Sequence, residues 1–232
     1  LEDGSVAWNR KVVRSKLLSV IRQFPDDTLI AMEACATAHH WGRTFQAMGY
    51  SVKLLPAQHV KPMARRQKND ANDALAICEA AFRPEIHAVS IKTVEQQDIK
   101  ALRCVRRRKV EQRTAIVNQA RALAAEYGVC FPKGILELQR ALPDALEDAE
   151  NGLSYVARNL LHGLSDDIKL LNSGIESTSC EIVQLCKQQS RYRALLSIPG
   201  VGPIVAAALL SEVGDGAQFS NGRQLSAWCG LV

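Results

Sequence analysis

Hydrophobic positions in the first ninety residues alternate between the spacing typical of strands and that typical of helices. Helical spacing occurs over residues 37–48 and 71–82. Short apolar or strand-like runs cover residues 6–13, 28–32, 51–55 and 86–91. Because strand and helix patterns follow one another in this order, they predict an α/β sandwich in which at least part of the sheet is parallel.

The residues after this region have mainly helical patterns. Residues 93–127 contain neither Gly nor Pro, so they predict one helix, which would be about 50 Å long. Helical patterns follow over 135–147 and 153–189, and we expect Gly163 and Gly174 to interrupt the second. Near-heptad spacing of Leu and Ile favours an antiparallel helical hairpin or coiled coil, although an ordinary helical subdomain gives the same pattern.

Composition narrows the class of protein. Of the 232 residues 47% are hydrophobic and 23% are charged, which is enough apolar material to bury a core and excludes overall disorder. No stretch approaches the roughly 18 apolar residues that span a bilayer, so no membrane partner is expected, and the acidic start has no signal-peptide pattern. Seven scattered cysteines fit neither a disulfide framework nor a zinc site, which indicates a reducing cytoplasm.

Positive charge is concentrated in two stretches, although the net charge is only +5. Seven basic residues and one acid lie between Lys100 and Arg113, and four basic residues and no acid lie between Lys61 and Lys68. Such concentration is typical of nucleic-acid binding, although a solvated helix face gives the same run. The predicted contacts are Lys61, Arg65, Arg66, Lys68, Arg103, Arg106, Arg107 and Arg113.

A glycine-rich turn over residues 199–203 lies between helical patterns at 191–198 and 204–213. This arrangement predicts a helix-hairpin-helix, because Gly200 and Gly202 permit a hairpin too tight for side chains. Backbone N–H groups at the start of the second helix would then meet a phosphate without sequence preference. The alternative is a purely structural turn between packed helices.

Three carboxylates form a candidate site for divalent metal. Asp70 and Asp73 are three residues apart on one face of a predicted helix, and Glu33 ends an apolar run at the carboxyl edge of a predicted strand. Oxygen ligands of this kind suit Mg²⁺ or Mn²⁺, and a pair of such ions supports phosphodiester cleavage. The alternatives are helix capping for the two aspartates and a solvated strand end for Glu33.

Several of these motifs, taken in order along the chain, resemble the DEDD transposases of insertion sequence family 110, with the closest likeness to its 1111 subgroup. The resemblance covers essentially the whole chain. It is carried by residues 32–35 (MEAC), 38–41 (AHHW), 60–62 (VKP), 68–74 (KNDANDA), 198–203 (IPGVGP), 214–215 (GD), 221–224 (NGRQ) and 228–231 (WCGL).

The resemblance implies an α/β fold with three parts. Residues 1–92 would form a RuvC/RNase H-like domain that lacks its first strand. Residues 93–190 would form a long basic helix and a coiled-coil spacer. Residues 191–232 would begin a helical C-terminal transposase domain that contains the helix-hairpin-helix.

The family's four acids bind divalent metal, and by resemblance Glu33, Asp70 and Asp73 match the second, third and fourth as catalytic and metal-binding residues. The first acid is expected before Leu1 and a nucleophilic serine after Val232, so the resemblance implies a chain truncated at both ends and inactive as given. It further implies transposition of DNA, a structured non-coding RNA partner, a homodimer or homotetramer, and a bacterial cytoplasmic location at the nucleoid.

Two other functions stay open at this point. A Holliday-junction nuclease could use the same fold and metal-binding acids without the serine, although it would need neither the spacer nor a second domain. A non-catalytic nucleic-acid-binding module would use the basic stretches alone.

Overall fold

The computed structural model of the protein describes residues 6–64, 69–214 and 216–231. Its two strands are β1 (Leu29–Glu33) and β2 (Ser51–Leu55). Its helices are α1 (Leu17–Ile21), α2 (Ala38–Ala47), α3 (Ala57–Val60), α4 (Asp70–Ala81), α5 (Val94–Ala125), α6 (Ile135–Glu147), α7 (Tyr155–Lys187), α8 (Ser190–Leu196), α9 (Pro203–Glu212) and α10 (Gly222–Trp228). No helix in these ranges is both long and apolar enough to cross a bilayer.

The two strands pair in parallel, with Leu29 opposite Ser51 and Glu33 opposite Leu55. Helix α2 connects them, and both α2 and α4 pack against the sheet. A small core forms where α4 meets β2, and Leu55 and Ala80 are buried in it. The expectation of a mainly helical α/β fold with a parallel sheet is therefore confirmed.

Two of the strand predictions are wrong. Residues 6–13 form no regular element, and most of their side chains are exposed. Residues 86–91 contribute only one isolated bridge, between Val89 and Leu54. The backbone that follows this second segment binds α2: Arg43 donates to the Lys92 carbonyl at 2.6 Å, and the Lys92 amide donates to His39 Nδ1 at 3.2 Å.

The chain divides into two compact units. One unit, which we call the sheet unit, contains the residues up to Thr93 together with those from Gly216 onward. The other, the helical unit, runs from Val94 to Asp215. The expected division into three parts at residues 92 and 190 stays a prediction from the sequence.

Helices α5 and α7 form the body of the helical unit and run antiparallel. Their direction follows from two contacts, because Arg106 of α5 meets Ser179 of α7 whereas the later Arg113 meets the earlier Asn172. A buried core between them includes Val117, Leu161 and others, and α6 packs against both helices. Helix α9 closes the other end against α5 and α7.

Helix α7 is continuous, so the expected interruptions at Gly163 and Gly174 are wrong. A glycine in a helix costs about 1 kcal/mol relative to alanine, which packing along a helix of this length readily offsets. At Gly174 the missing side chain also makes room, because a Cβ there would lie 3.2 Å from Lys109 Nζ. The same Lys109 ammonium donates to the Gly174 carbonyl at 3.1 Å.

Candidate metal and nucleic-acid sites

The three candidate carboxylates lie on two neighbouring elements of the sheet unit. Glu33 is the last residue of β1, and Asp70 and Asp73 lie in the first turn of α4, which packs against β1. The helix is capped by Asn69, whose Oδ1 accepts from the Asn72 amide at 2.8 Å. Neither aspartate therefore serves as the N-cap, although both suit the positive end of the helix dipole.

The carboxylates differ in how far they reach solvent. The Asp70 side chain is 93% exposed, and its Oδ2 lies 3.9 Å from Nζ of Lys11, which is 92% exposed. A pair this exposed contributes little free energy, so Lys11 would not prevent Asp70 from binding a cation. Glu33 and Asp73 are half-buried.

Carboxylate oxygens have the right chemistry for Mg²⁺ or Mn²⁺. Within the described ranges, however, no three or more His, Cys, Asp and Glu side chains are arranged to hold a metal ion. The donor chemistry thus fits, but the described residues do not form a complete set of ligands. The convergence of Glu33, Asp70 and Asp73 on one ion stays a prediction.

Most of the basic residues of α5 are bound inside the helical unit. Arg103 Nη1 donates to Ser211 Oγ at 2.9 Å and lies 3.5 Å from Glu212 Oε1. Arg106 and Arg113 bind α7 instead. Arg106 Nε donates to Ser179 Oγ at 2.7 Å, and Arg113 Nη1 donates to Asn172 Oδ1 at 2.7 Å.

Arg103, Arg106 and Arg113 therefore each use part of the guanidinium group within the helical unit, and their contact with nucleic acid stays a prediction. Their spacing places them on the face of α5 that packs, where small polar side chains of α7 and α9 accept from their guanidinium groups. Arg107, in contrast, is 82% exposed and pairs with Glu111 at 2.9 Å. Arg107 therefore stays available as a nucleic-acid contact.

The basic stretch that precedes α4 is only partly described. Lys61 is exposed at the start of a short 3-10 turn, Lys61–Met63. Arg65, Arg66 and Lys68 lie outside the described residues.

The glycine-rich turn between α8 and α9 is a tight β-turn. Val201 N donates to the Ile198 carbonyl at 3.1 Å, and Gly200 has a φ of +84°. Together with Pro199 this is the geometry of a type II turn, which favours Gly at its third position. Gly202 has a φ of −81° and is the N-cap of α9, so its backbone does not require glycine.

A Cβ at Gly202 would have no heavy atom within 4 Å, so packing inside the protein does not require glycine there either. The backbone conformation of the turn thus requires glycine at position 200. At position 202, neither the backbone conformation nor contacts among the described residues require it.

A further set of basic residues, which the sequence motifs did not indicate, lies at the start of the sheet unit. The Arg14 guanidinium carbon lies 5.5 Å from the centre of the Trp41 ring, and Lys11 lies next to Asp70. A signal was present, because five basic residues and no acid occur between residues 6 and 25. The apolar residues among them favoured a strand instead.

The resolved pKa shifts all belong to the helical unit. Burial raises the pKa of the Cys186 thiol, and burial also raises the pKa of the Tyr192 hydroxyl. A hydrogen bond from Lys169 lowers the pKa of Asp166 on the surface. These groups belong to a helical core and to an exposed helix face, not to the candidate carboxylates.

Comparison with known proteins identifies the class as transposases. A family profile described as "Transposase" (DEDD_Tnp_IS110) matches residues 2–129, and one described as "Transposase IS116/IS110/IS902 family" matches residues 192–232. The chain therefore belongs to the IS110 family of DEDD transposases, as the sequence resemblance indicated.

Curated relatives match along essentially the whole chain. The transposase for insertion sequence element IS1111A of Coxiella burnetii is 39% identical over 100% of this chain and 63% of its own length. A probable family 20 transposase of Pseudomonas aeruginosa is 37% identical over 98% of this chain and 67% of its own length. The transposase for IS1328 of Yersinia enterocolitica is 34% identical over 99% of this chain. The chain thus spans roughly two thirds of the length of these relatives.

Proposed function

We propose that this chain is part of a transposase that binds the DNA of an insertion sequence and takes part in metal-dependent strand cleavage and rejoining. The observation that carries the proposal is the match to IS1111A-type transposases along 231 residues. The matched range covers the positions of Glu33, Asp70 and Asp73, which the resemblance assigns to metal binding.

In this proposal Glu33, Asp70 and Asp73 hold Mg²⁺ or Mn²⁺. The bound ion would stabilise the charge that develops when a phosphodiester bond is cleaved. The placement of Glu33 at a strand end and of the two aspartates in one helical turn supports this role, because α4 packs against β1. The family's first acid and the nucleophilic serine follow from the resemblance alone.

Nucleic-acid contacts form the second part of the proposal. Lys61 and Arg107 are exposed cations, and the open space around Gly200 and Gly202 would let a phosphate approach the backbone. Arg65, Arg66 and Lys68 are proposed from the sequence. A structured RNA partner, a dimer or tetramer, and a cytoplasmic location at the nucleoid are proposed from the resemblance.

Binding to duplex DNA at increasing KCl tests this function. Each phosphate contact changes the slope of log affinity against log salt by about −0.9. With about four contacts, a fourfold increase in salt would lower the affinity roughly 150-fold. A flat salt response, or no binding at low salt, would reject the basic residues as a DNA-binding surface.

A second candidate is a nucleic-acid-binding chain without catalytic activity. It is favoured by one observation, namely that no three potential ligands are arranged for a metal ion in the described ranges. Titration with Mn²⁺ separates the candidates, because only the transposase proposal requires binding that depends on Glu33.

A further inference from the structure

We propose that four basic residues at the start of the sheet unit form a contact surface for the phosphodiester backbone of nucleic acid, and we call them the N-terminal basic strip: Arg10, Lys11, Arg14 and Lys16. The inference rests on the proposed function, because it gives that nucleic-acid binding a location that the sequence motifs did not indicate. Three observations support it: the charge and exposure of the strip, its anchoring, and its position.

The strip carries accessible charge. All four side chains are exposed, and no acid lies between residues 4 and 25 of the sequence. Within the described residues, the four side chains make no hydrogen bond, and their one ion pair is the exposed contact of Lys11 with Asp70. The arginines of α5 differ, since Arg103 and Arg106 donate to side chains of their own unit. Solvent-exposed cationic side chains can bind the phosphates of a nucleic acid. Each phosphate that they neutralise releases counterions, which favours binding.

Two aromatic contacts fix this segment, although it forms little regular structure. Trp8 lies edge-on to Phe24, with 5.7 Å between their ring centres. Arg14 lies over Trp41, which stacks on the buried Phe45 with ring centres 5.6 Å apart. The segment is therefore anchored just before the strip, at Trp8, and within it, at Arg14.

The contact with Trp41 holds Arg14 without using its hydrogen-bond donors. A cation–π interaction uses the charge of the guanidinium group, and its N–H groups stay available to donate to a phosphate. Fixing the side chain in advance lowers the entropy lost when a ligand binds. The Arg14 side chain is thus preorganised to bind a phosphate.

The strip lies next to one of the candidate carboxylates, Asp70. The 3.9 Å contact between Lys11 Nζ and Asp70 Oδ2 places it at the N-terminus of α4. The exposed Lys61 begins the 3-10 turn that packs against the same helix. A backbone bound along the strip would therefore pass close to Asp70, and Lys11 would offset the repulsion between that carboxylate and a phosphate.

The test compares two charge-matched double variants of the chain. Lys11→Ala with Arg14→Ala removes two charges from the strip, and Lys133→Ala with Lys187→Ala removes two exposed charges from the helical unit. Affinity is measured by fluorescence anisotropy at several KCl concentrations, with duplex DNA and with single-stranded RNA of one sequence. Circular dichroism checks that each variant folds.

We expect the strip variant to reduce the magnitude of the salt slope by about 1.8 on duplex DNA or about 1.4 on single-stranded RNA, while the control keeps the wild-type slope. A reduction with one nucleic acid assigns the strip to it, and a reduction with both assigns it to the shared backbone. An unchanged slope on both, with a steep wild-type slope, overturns the inference and leaves the proposed function intact. No binding by the wild type overturns both.

A third variant tests the anchoring of Arg14. Trp41→Leu keeps every charge but removes the ring, and we expect a two- to fivefold loss of affinity with a nearly unchanged salt slope. Wild-type affinity in a folded Trp41→Leu protein would contradict the role of the ring.

Discussion

Replacing Arg103 with Met tests whether the basic stretch of α5 stabilises the helical unit or binds nucleic acid. The substitution keeps much of the apolar stem and removes the charged group that donates to Ser211 Oγ at 2.9 Å. Ser211 is fully buried, so the lost contact is one that solvent replaces poorly. A hydrogen bond with one charged partner contributes about 1.5 to 3 kcal/mol.

The ion pair with Glu212 adds less. Arg103 and Glu212 are 25% and 30% exposed, the atoms are 3.5 Å apart, and Lys100 lies at the same distance from the other Glu212 oxygen. Solvent screening limits such a pair to below about 1 kcal/mol. We therefore expect Arg103→Met to lower the free energy of unfolding by about 2 to 3 kcal/mol, which corresponds to a Tm lower by roughly 4 to 12 °C.

Thermal unfolding followed by circular dichroism measures this change, and Arg107→Met is the matched control. Arg107 is 82% exposed and makes one pair within its own helix, so its loss should cost less than about 0.5 kcal/mol. A stabilising role for Arg103 is refuted if Arg103→Met unfolds at the wild-type temperature and instead reduces the salt slope of DNA binding by about 0.9. Arg103 would then be a nucleic-acid contact, as its sequence context suggested.

Three further predictions concern the turn, a helix cap and the buried core. Gly200→Ala should cost about 1 to 2 kcal/mol because its φ is +84°, whereas Gly202→Ala should be nearly neutral in urea unfolding. Asn69→Ala removes the cap of α4 and should destabilise the sheet unit by about 1 kcal/mol in the same assay, with Asn69→Asp restoring stability. Burial raises the pKa of Cys186 and of Tyr192, so these groups keep their protons in the folded state to a higher pH than in the unfolded state. Because deprotonation then favours the unfolded state, we expect the free energy of unfolding to fall as the pH rises above about 9. Tyr192→Phe should reduce the loss above about pH 10, measured as the urea midpoint, and an equally steep loss in that variant would contradict the assignment.

Elements whose signals are local could be predicted from the sequence. Strand β2 and helix α6 have the predicted bounds, because their apolar spacing lies between clear turn residues. The segment at residues 6–13 has an apolar content similar to that of a strand, but it finds no strand to pair with in the described residues. Whether an apolar run becomes a strand depends on a partner edge, which local pattern does not encode.

For the candidate site, too, local sequence pattern predicts the position of a residue but not its long-range contacts. The positions of Glu33 and of the aspartates followed from a strand end and a helix start. The internal contacts of the α5 arginines did not, because charge density along α5 carries no information about the side chains that face it from α7 and α9. Likewise, the contact between Arg14 and Trp41 joins two segments whose proximity is set only by the fold.

The central claim is that Glu33, Asp70 and Asp73 together bind divalent metal, and titration of the chain with Mn²⁺ followed by electron paramagnetic resonance tests it most directly. Separate Glu33→Gln, Asp70→Asn and Asp73→Asn variants should each weaken Mn²⁺ binding at least about tenfold, because removing a ligand removes both charge and a donor atom. The exposed Asp144→Asn change in α6 should leave it unchanged. Equal Mn²⁺ affinity in the wild type and all three site variants would contradict the claim.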